Sequence, residues 1–412
     1  MDRRVVVTGM GAVTPLGCTV DTFWEGLKNG KCGIDLIQKF DTTDFKVKVG
    51  AEVKDFDATK YMDRKEAKRM DLFCQYGLAA AIQAVEDSGI TPENTDYDRF
   101  GVMVGSGIGG LTVMESQIIK MHDKGPTRVA PLFVPMAIGN MVAGNISMKI
   151  GARGVCTSLV TACATGTHAI GEAFRNIKHG YSDVILAGGA VGSICEIGIA
   201  GFAALTALSS SDNPDAASLP FDKKRGGFVM GEGAGVLVLE SLEHAQKRGA
   251  KIYAEVVGYG ATGDAYHMTA PNPDGSGAGK AILQAIEEAG VAPSEVDYVN
   301  AHGTGTPAND SAETTSIRYA LKEAADKVHV SSTKSMTGHL LGAAGAIEAI
   351  ACVKAVEEDF VPPTINLTEQ DEACDLNVTP NVGVSTKVDV AISNSLGFGG
   401  HNAVICVKKW KD

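Results

Sequence analysis

The segment QAVEDSGITP at residues 83–92 and the segment QAIEEAGVAP at residues 284–293 share one register and one pattern of residue types. In each segment an amphipathic helix ends at a glycine, and a proline turn leads to a strand, at 100–104 in the first case and at 296–300 in the second. The chain therefore carries an internal duplication in which strands alternate with helices. Such alternation indicates an α/β layered fold.

Further matches between the two halves follow in the same order along the chain. The matched stretches are 164–166 with 343–345, 231–238 with 397–404, and 5–11 with 255–260. We therefore expect two similar halves, 1–251 and 252–412, related by a pseudo-twofold axis, with extra residues in the first half. Under that symmetry the helices that begin near Cys163 and Gly342 are equivalent. This brings Cys163 and His339 together at the junction between the halves.

Composition and charge exclude several classes of protein. The chain has 412 residues, 44% apolar and 21% charged, as in a soluble globular protein with a large core. Its formal net charge of −12 argues against a surface for nucleic acids or anionic membranes, and no apolar run is long enough to insert into a membrane. The nine cysteines include no CxxC pair, and the chain starts with a strand and a glycine turn instead of a signal peptide. We expect a cytoplasmic protein.

One cysteine and two histidines suggest covalent catalysis. Cys163 lies in TACATG at 161–166, where a strand-like stretch gives way to a helix whose N-terminus favours a thiolate. His302 lies in the turn NAHGTGT at 300–306, and His339 precedes a helix of small residues. Each residue alone has a structural alternative, namely a core cysteine, a turn histidine and a capping histidine. Together they predict a thiol nucleophile with two imidazole partners.

Two further segments fit such a site. Lys334 follows a strand and precedes His339 by five residues, so it is a candidate to orient the site or balance its charge. The alternative for Lys334 is a solvated surface lysine. The glycine loop SNSLGFGG at 393–400 can offer a backbone N–H to an oxyanion, with the Cys163 N–H as the second donor. The alternative for this loop is a plain hairpin turn.

With these motifs, the chain closely resembles the β-ketoacyl-acyl-carrier-protein synthases, specifically the elongating synthase II type of bacterial fatty-acid synthesis. The resemblance covers essentially the whole chain. Its motifs are VVVTGMGAVTPLG at 5–17, GSGIGG at 105–110, TACATG at 161–166, HGTGT at 302–306, KSMTGHLLGAAG at 334–345 and SNSLGFGGHN at 393–402. The resemblance implies a thiolase-like fold, in which two duplicated βαβαβαββ-type halves give five layers in the order α-β-α-β-α.

The resemblance also implies a decarboxylating Claisen condensation. Cys163 would accept the growing acyl chain from acyl-carrier protein, and malonyl-acyl-carrier protein would then lose CO2 and attack that thioester. His302 and His339 would stabilise the enolate, with their division of labour left open. Lys334 matches the family's site lysine, and Phe398 matches the residue that gates acyl entry and adds its N–H to the oxyanion hole. Decarboxylation supplies the driving force, so no nicotinamide, flavin or other cofactor is expected.

Binding residues are implied in the same way. Positions that match the acyl pocket, the entrance and the loops around the site are Ile108, Phe133, Phe202, His267, Thr304, Thr306, Gly397 and Gly399. Phe133 would come from the other subunit of a homodimer, and ordinary core packing is the alternative for the pocket residues. Positions that match an optional structural cation site are Asn300, Ala301, Glu348, Ser393 and Asn394. The alternative for Glu348 is a buried carboxylate paired with Lys334 or with backbone amides.

Carrier-protein docking is expected at a basic run. Acyl-carrier protein is acidic and this chain is itself net negative, so docking requires a local basic patch. The run at 64–69 includes Lys65, Lys68 and Arg69, for which a solvated helix face is the alternative. The segment 205–208 carries no basic residue where some relatives have one.

Three other functions are alternatives to this one. A polyketide-type ketosynthase would use the same chemistry with another carrier protein, and carrier preference would separate the two. A non-catalytic chain-length partner subunit would lack the nucleophile, whereas this chain retains Cys163, His302 and His339. A thiolase would act on CoA thioesters with a second cysteine near the C-terminal loop, where this chain has His401 and Asn402.

Overall fold

Strands and helices alternate through residues 2–411, the part of the chain that the computed structural model describes. The strands are β1 (Val5–Val13), β2 (Asp35–Leu36), β3 (Val49–Gly50), β4 (Phe100–Gly105), β5 (Cys156–Thr157), β6 (Val184–Val191), β7 (Gly233–Ser241), β8 (Ala254–Gly263), β9 (Tyr298–Asn300), β10 (His329–Ser331), β11 (Phe360–Val361), β12 (Val384–Ser385), β13 (Val390–Gly397) and β14 (His401–Lys409). The α-helices are α1 (Val20–Lys28), α2 (Arg64–Ala67), α3 (Leu72–Ser88), α4 (Leu111–Lys124), α5 (Phe133–Ala137), α6 (Met141–Ile150), α7 (Thr165–Lys178), α8 (Glu196–Ala204), α9 (Leu242–Lys247), α10 (Ser276–Glu288), α11 (Pro307–Leu321), α12 (Lys334–Thr337) and α13 (Ala344–Glu358).

The main sheet repeats one strand order twice. Its ten strands run β10-β9-β13-β14-β8-β1-β7-β6-β4-β5. Counted outward from β1, and equally from β8, the order within each half is first, fifth, fourth, second and third. In both halves the two pairs nearest the centre are antiparallel and the two outer pairs are parallel. The predicted duplicated α/β fold is thereby confirmed.

Helices α7 and α13 form the middle layer of the molecule. They contact each other, and each contacts strands of both halves: α7 packs on β6, β4 and β14, while α13 packs on β13 and β7. On the outer faces, α3 and α6 cover the first half, and α10 covers the second half and packs against α11. The layers therefore follow the expected order α-β-α-β-α, with the two helices that follow the site motifs at the centre.

Glycines allow the outer helices to approach the central strands closely. A Cβ at Gly11 of β1 would lie 1.9 Å from the carbonyl oxygen of Ala80 in α3. A Cβ at Gly260 of β8 would lie 1.8 Å from the carbonyl oxygen of Ala281 in α10. Any side chain at these positions would push the helix away from the sheet. The two halves therefore share the same close packing of an outer helix on a glycine of the central strand.

The segment at 83–92 includes the end of α3, and the matching segment at 284–293 includes the end of α10. Gly89, with φ of 68°, and Gly290, with φ of 62°, adopt the left-handed conformation that ends a helix. In residues 2–411 no helix combines the length and the apolar character that crossing a bilayer requires.

Candidate active site

Cys163 lies on a strained bend at the start of α7. A 3₁₀ turn, Ala162–Ala164, leads into the helix, and Ala162 has φ of 50°, a left-handed conformation that costs an alanine about 1–2 kcal/mol. Thr165 holds the bend, because its Oγ1 accepts the N–H of Thr161 at 3.0 Å and donates to the carbonyl of Ala162 at 2.8 Å. The bend places Cys163 two residues before the first residue of α7.

The second half repeats this bend without a nucleophile. A 3₁₀ turn at Leu341–Ala343 leads into α13, and Leu341 has φ of 45°. The pseudo-symmetric counterpart of Cys163 is therefore Gly342, and His339 lies three residues before it. The expectation that the duplication brings Cys163 and His339 together agrees with the structure, since both side chains line one cavity.

Two backbone amides are directed at the cysteine sulfur. The N–H groups of Phe398 and of Cys163 itself favour the thiolate of Cys163. Gly397 makes this approach possible, because a Cβ there would lie 2.6 Å from the carbonyl oxygen of Thr161 and 3.3 Å from the nitrogen of Cys163. Two such donors beside the sulfur are the arrangement that stabilises the oxyanion of a tetrahedral intermediate.

The two histidines face each other above the cysteine. The His302 and His339 rings meet edge to face, with centroids 5.1 Å apart, and Phe228 packs against His339 at 5.0 Å. Burial, together with the positive charge of Lys334, lowers the pKa of both imidazoles well below the usual value. Both rings are therefore neutral near pH 7. Among residues 2–411, Nδ1 of His302 and both ring nitrogens of His339 have no hydrogen-bond partner, so they are available to a substrate.

Lys334 supplies a positive charge beneath the cavity. Its ammonium pairs with the carboxylate of Glu348, and each side chain is only 1% exposed, which excludes the solvated surface lysine. Burial raises the pKa of the Cys163 thiol to about 12, and the charge of Lys334 opposes that rise. Burial also raises the pKa of Glu348. The resting site therefore contains a neutral thiol, two neutral imidazoles and one buried ion pair.

Sequence reasoning missed the acids that hold the His302 loop. The backbone N–H groups of His302 and Gly303 donate to the two carboxylate oxygens of Glu313, each at 2.7 Å, and Nδ2 of Asn394 donates to the same group at 3.2 Å. Burial raises the pKa of Glu313 to about 7. One turn earlier on α11, Asp310 accepts the N–H of Gly305 at 3.2 Å. The sequence does place two acids, Asp310 and Glu313, in the helix that directly follows the HGTGT motif.

A cavity of about 430 Å³ unites most of the predicted site. The predicted residues that line it are Cys163, Phe202, His302, Thr304, Thr306, His339, Gly397 and Phe398. Lys334 lies below the cavity. Ile108 packs against the main hydrophobic core, and Phe133 begins α5. His267 and Gly399 are exposed and do not line the cavity, and Nδ1 of His267 accepts the N–H groups of Thr269 and Ala270, both at 3.1 Å.

The polar residues expected to hold a cation form a second buried group. Asn300 of β9 pairs in register with Ser393 of β13, and Asn394 follows. Within residues 2–411, Oδ1 of Asn300, Oγ of Ser393, Oδ1 of Asn394 and Oε2 of Glu348 are buried oxygens without a hydrogen-bond partner. Four unpartnered oxygens fit the ligand preference of a hard cation. No group of three or more histidine, cysteine or acidic side chains in that part of the chain is arranged to hold a metal ion.

Comparison with known families agrees with this geometry. The family model described as "Beta-ketoacyl synthase, N-terminal domain" matches residues 2–245, and "Beta-ketoacyl synthase, C-terminal domain" matches residues 253–368. The chain belongs to the β-ketoacyl synthases. This synthase is 52% identical to the 3-oxoacyl-[acyl-carrier-protein] synthase 2 of Synechocystis sp., an alignment that covers 99% of each chain. It is 50% identical to the enzyme of the same name from Staphylococcus aureus, over 100% of this chain and 99% of the relative.

Solved structures place the synthase among ketosynthases. A type II polyketide ketosynthase, solved in complex with its acyl-carrier protein and bound to the hexaketide, aligns with a TM-score of 0.92 at 37% identity over 100% of both chains. The ishigamide ketosynthase/chain length factor aligns with a TM-score of 0.92 at 38% identity, also over 100% of both chains. The predicted family and thiolase-like fold are confirmed.

Proposed function

We propose that this β-ketoacyl synthase elongates acyl chains in fatty-acid synthesis by condensing a Cys163-bound acyl group with malonyl-acyl-carrier protein. The observation that carries the proposal is the convergence, in one cavity, of Cys163, two neutral histidines and the Phe398 loop. The relatives named 3-oxoacyl-[acyl-carrier-protein] synthase 2 support fatty-acid elongation over the polyketide alternative, because they are more similar in sequence to this chain than the type II polyketide ketosynthase is.

Acylation begins with the Cys163 sulfur. Its S–H bond breaks as a carbon–sulfur bond forms with the acyl thioester, and the proton ends on the departing pantetheine thiol. The amides of Phe398 and Cys163 stabilise the oxyanion, and the charge of Lys334 favours the sulfur anion as it forms. Thr304 and Thr306, which line the cavity and share a hydroxyl hydrogen bond of 2.9 Å, would bind the pantetheine arm.

Condensation uses the two imidazoles. The bond between the malonyl carboxylate and its α-carbon breaks to release CO2, and the electron pair forms an enolate on the thioester. N–H groups of His302 and His339 donate to the enolate oxygen, which neutral rings can do without losing a proton. The α-carbon then attacks the acyl carbonyl, the bond to Cys163 breaks, and the sulfur takes up one proton. No cofactor enters this sequence.

A structural cation is also part of the proposal. Asn300, Ser393, Asn394 and Glu348 would hold it through side-chain oxygens, with Ala301 contributing through its backbone. A cation there would supply positive charge to the free oxygen of Glu348 and would link the end of β9 to the middle of β13. It takes no part in bond making.

Carrier protein would dock on the basic run around α2. Asp63 caps this helix, and its carboxylate accepts the N–H of Lys65 at 2.7 Å. Lys65, Lys68 and Arg69 are exposed, and within residues 2–411 none of them is paired with a carboxylate. Three exposed cations suit the acidic surface of acyl-carrier protein.

The active unit would be a homodimer. A face between α4 and β5 exposes large apolar side chains, namely Ile118, Ile119, Met121, Leu132, Val134, Ile138, Met148 and Val160. The strand β5 leaves one edge of the sheet open beside them. An apolar face next to an open edge suits a second copy of the chain, which would also bring Phe133 to its partner's acyl pocket. Each subunit would consist of two halves, 1–251 and 252–412. The nine cysteines are all free thiols, which suits a cytoplasmic protein.

The mass of the protein tests the central step. Incubation with a medium-chain acyl-acyl-carrier protein should add one acyl group that maps to Cys163. The adduct should be absent in Cys163→Ala and present in Cys156→Ala, which removes an exposed thiol elsewhere. Malonyl-acyl-carrier protein should then discharge it and yield the β-ketoacyl product. A folded protein that takes up no acyl group would exclude the proposed mechanism.

A further inference from the structure

The ring of His339 has no polar partner within residues 2–411, where both of its nitrogens are buried without a hydrogen bond. Its backbone is held instead: the N–H of His339 donates to the carbonyl of Val229 at 2.7 Å, and its carbonyl accepts the N–H of Gly231 at 2.9 Å. The ring of Phe228 packs edge to face against the imidazole. We call residues 228–231 the supporting segment, because it contacts both the backbone and the ring of His339.

Ala51 holds the supporting segment from its other side. The N–H of Ala51 donates to the carbonyl of Met230 at 2.9 Å, and the carbonyl of Ala51 accepts the N–H of Glu232 at 3.1 Å. Ala51 also packs against the residue before His339, since a Cβ at Gly338 would lie 2.9 Å from the Cβ of Ala51. Close-packed interiors transmit displacements, so a shift of these contacts would move His339.

A buried carboxylate directly follows the supporting segment and anchors it. Glu232 is fully buried, and both of its oxygens accept from the ammonium of Lys39 at 2.5 Å. One of these oxygens also accepts the N–H of Val53 at 3.0 Å and the hydroxyl of Tyr76 at 3.2 Å. The carboxylate of Glu52, in turn, accepts the backbone N–H of Lys39 at 3.1 Å. The pair of Lys39 and Glu232 therefore joins separate stretches of chain around the supporting segment.

Stability alone does not account for this ion pair. Burial raises the pKa of Glu232, and the charge of Lys39 opposes that rise. The cost of removing two charges from water offsets most of their attraction, so a buried pair adds little stability compared with apolar side chains. Such a pair can instead select one arrangement of the chain around it.

We propose that Glu232, through its pair with Lys39, is a positioning residue for His339. Glu232 does not line the cavity, so it acts through the supporting segment and touches no substrate. The loop of His302 has a separate anchor in Glu313, whose carboxylate accepts the N–H of His302 at 2.7 Å. Replacing Glu232 should therefore displace one imidazole and leave the other in place.

The inference rests on the proposed function, in which acylation and condensation use different groups. Acylation uses Cys163, the Phe398 amide and Lys334, whereas His339 acts on the malonyl thioester. A displaced His339 should therefore slow condensation and leave acylation intact. A purely structural role of the ion pair would lower both rates together.

The two half-reactions, measured on the same protein, test this role. Rapid quenching and intact-mass measurement would give the rate of acyl-enzyme formation from a medium-chain acyl-acyl-carrier protein and the rate of its discharge by malonyl-acyl-carrier protein. In Glu232→Gln and in Lys39→Met the discharge rate should fall about tenfold, as for a misplaced catalytic group, while acylation keeps the wild-type rate. The double variant should lose no more than either single variant, because both act through one contact.

Glu240→Gln is the matched control. Glu240 is equally buried, pairs with Arg248 at 2.7 Å and lies at the far end of β7 from Glu232. This variant should be less stable and should keep the wild-type ratio of the two rates. Tyr76→Phe removes only the hydroxyl that donates to Glu232, so it preserves the test if the larger changes prevent folding. Its discharge rate should fall about threefold, with acylation unchanged.

An equal loss of both rates in Glu232→Gln and Lys39→Met would overturn the inference, and so would discharge at the wild-type rate. The same selective loss in Glu240→Gln would also overturn it, because the effect would then not depend on the supporting segment. If the ion-pair variants do not fold, wild-type discharge in Tyr76→Phe decides against the inference. A wild-type protein that is not acylated, or whose acyl group malonyl-acyl-carrier protein does not discharge, would contradict the proposed function instead.

Discussion

The amide of Phe398 can reach the nucleophile only because residue 397 has no side chain. A Cβ at Gly397 would lie 2.6 Å from the carbonyl oxygen of Thr161, so Gly397→Ala must displace either the Phe398 loop or the cysteine bend. We expect the acylation rate to fall by about 100-fold, as when one oxyanion donor is lost. Stopped-flow or quenched acylation kinetics would measure this.

The matched control for that substitution is Gly201→Ala. A Cβ there meets nothing within 4 Å, and Gly201 lies inside α8. This variant should keep its acylation rate and gain about 0.5–1 kcal/mol in the free energy of unfolding, because alanine is the better helix former. Equal acylation rates for Gly397→Ala and the wild type would show that the Phe398 amide does not serve the oxyanion.

Lys334 has a structural and an electrostatic role that can be separated. Lys334→Met removes the ammonium group that pairs with the buried carboxylate of Glu348, which should cost about 3–5 kcal/mol in the free energy of unfolding. The double variant Lys334→Met/Glu348→Gln removes both charges and should regain most of that loss. Its acylation rate should stay at least tenfold low, because the field that favours the Cys163 thiolate is gone. Denaturant unfolding and acylation rates measure the two roles, and a double variant with wild-type acylation would rule out the electrostatic one.

Helix α11 fixes the His302 loop through one carboxylate. Glu313 has a pKa raised from an ordinary value of 4.5 to about 7. Because the folded-state pKa is the higher one, protonation of Glu313 stabilises the fold fully below about pH 4.5, and this contribution is lost as the pH rises through about 7. The free energy of unfolding of the wild type, relative to Glu313→Gln, should therefore fall by about 3 kcal/mol between pH 4.5 and 7.5.

Unfolding curves across that pH range, with Glu323→Gln at an exposed position as control, would measure this difference. Glu313→Gln should also lower condensation activity, since a glutamine oxygen can replace only one of the two acceptors used by the His302 and Gly303 amides. A pH-independent stability difference would show that Glu313 ionises as in the unfolded chain.

The elements differ in how well the sequence predicted them. The duplicated helices and their glycine ends follow from local patterns, because helix ends and glycine turns are encoded within a few residues. The meeting of Cys163 and His339 follows from the internal duplication. Glu313 and Asp310 were missed because an acid in a helix gives no local sign of burial. The packing of Ile108 and Phe133 also lies beyond local pattern, since it depends on how separate elements come together.

The site depends on both halves of the protein. The first half provides Cys163, and the second half provides His302, His339, Lys334 and the Phe398 loop. The helices α7 and α13 pack against each other between the halves, so the two bends at their starts come together. The duplicated halves thus provide a matching pair of bends, with the nucleophile Cys163 on one and Gly342 on the other.

The proposed dimer extends this dependence to a second chain. Ile119 and Val134 are exposed on the apolar face, and a glutamate at each would have to be buried unpaired in a dimer. We expect Ile119→Glu/Val134→Glu to raise the dissociation constant of the dimer by at least 100-fold, about 2.7 kcal/mol, and to yield monomers in light scattering. Val382→Glu, at an exposed apolar position elsewhere, should stay dimeric.

Activity measurements show whether the second copy also completes the acyl pocket of its partner. If Phe133 of a second copy completes the acyl pocket, the monomeric variant should lose acylation by long acyl chains and retain the reaction with short ones, which need less of the pocket. The ratio of the two rates on monomeric and dimeric protein measures this dependence. A wild-type protein that is monomeric and fully active on long chains would contradict the dimer, and it would leave the apolar face between α4 and β5 for another partner.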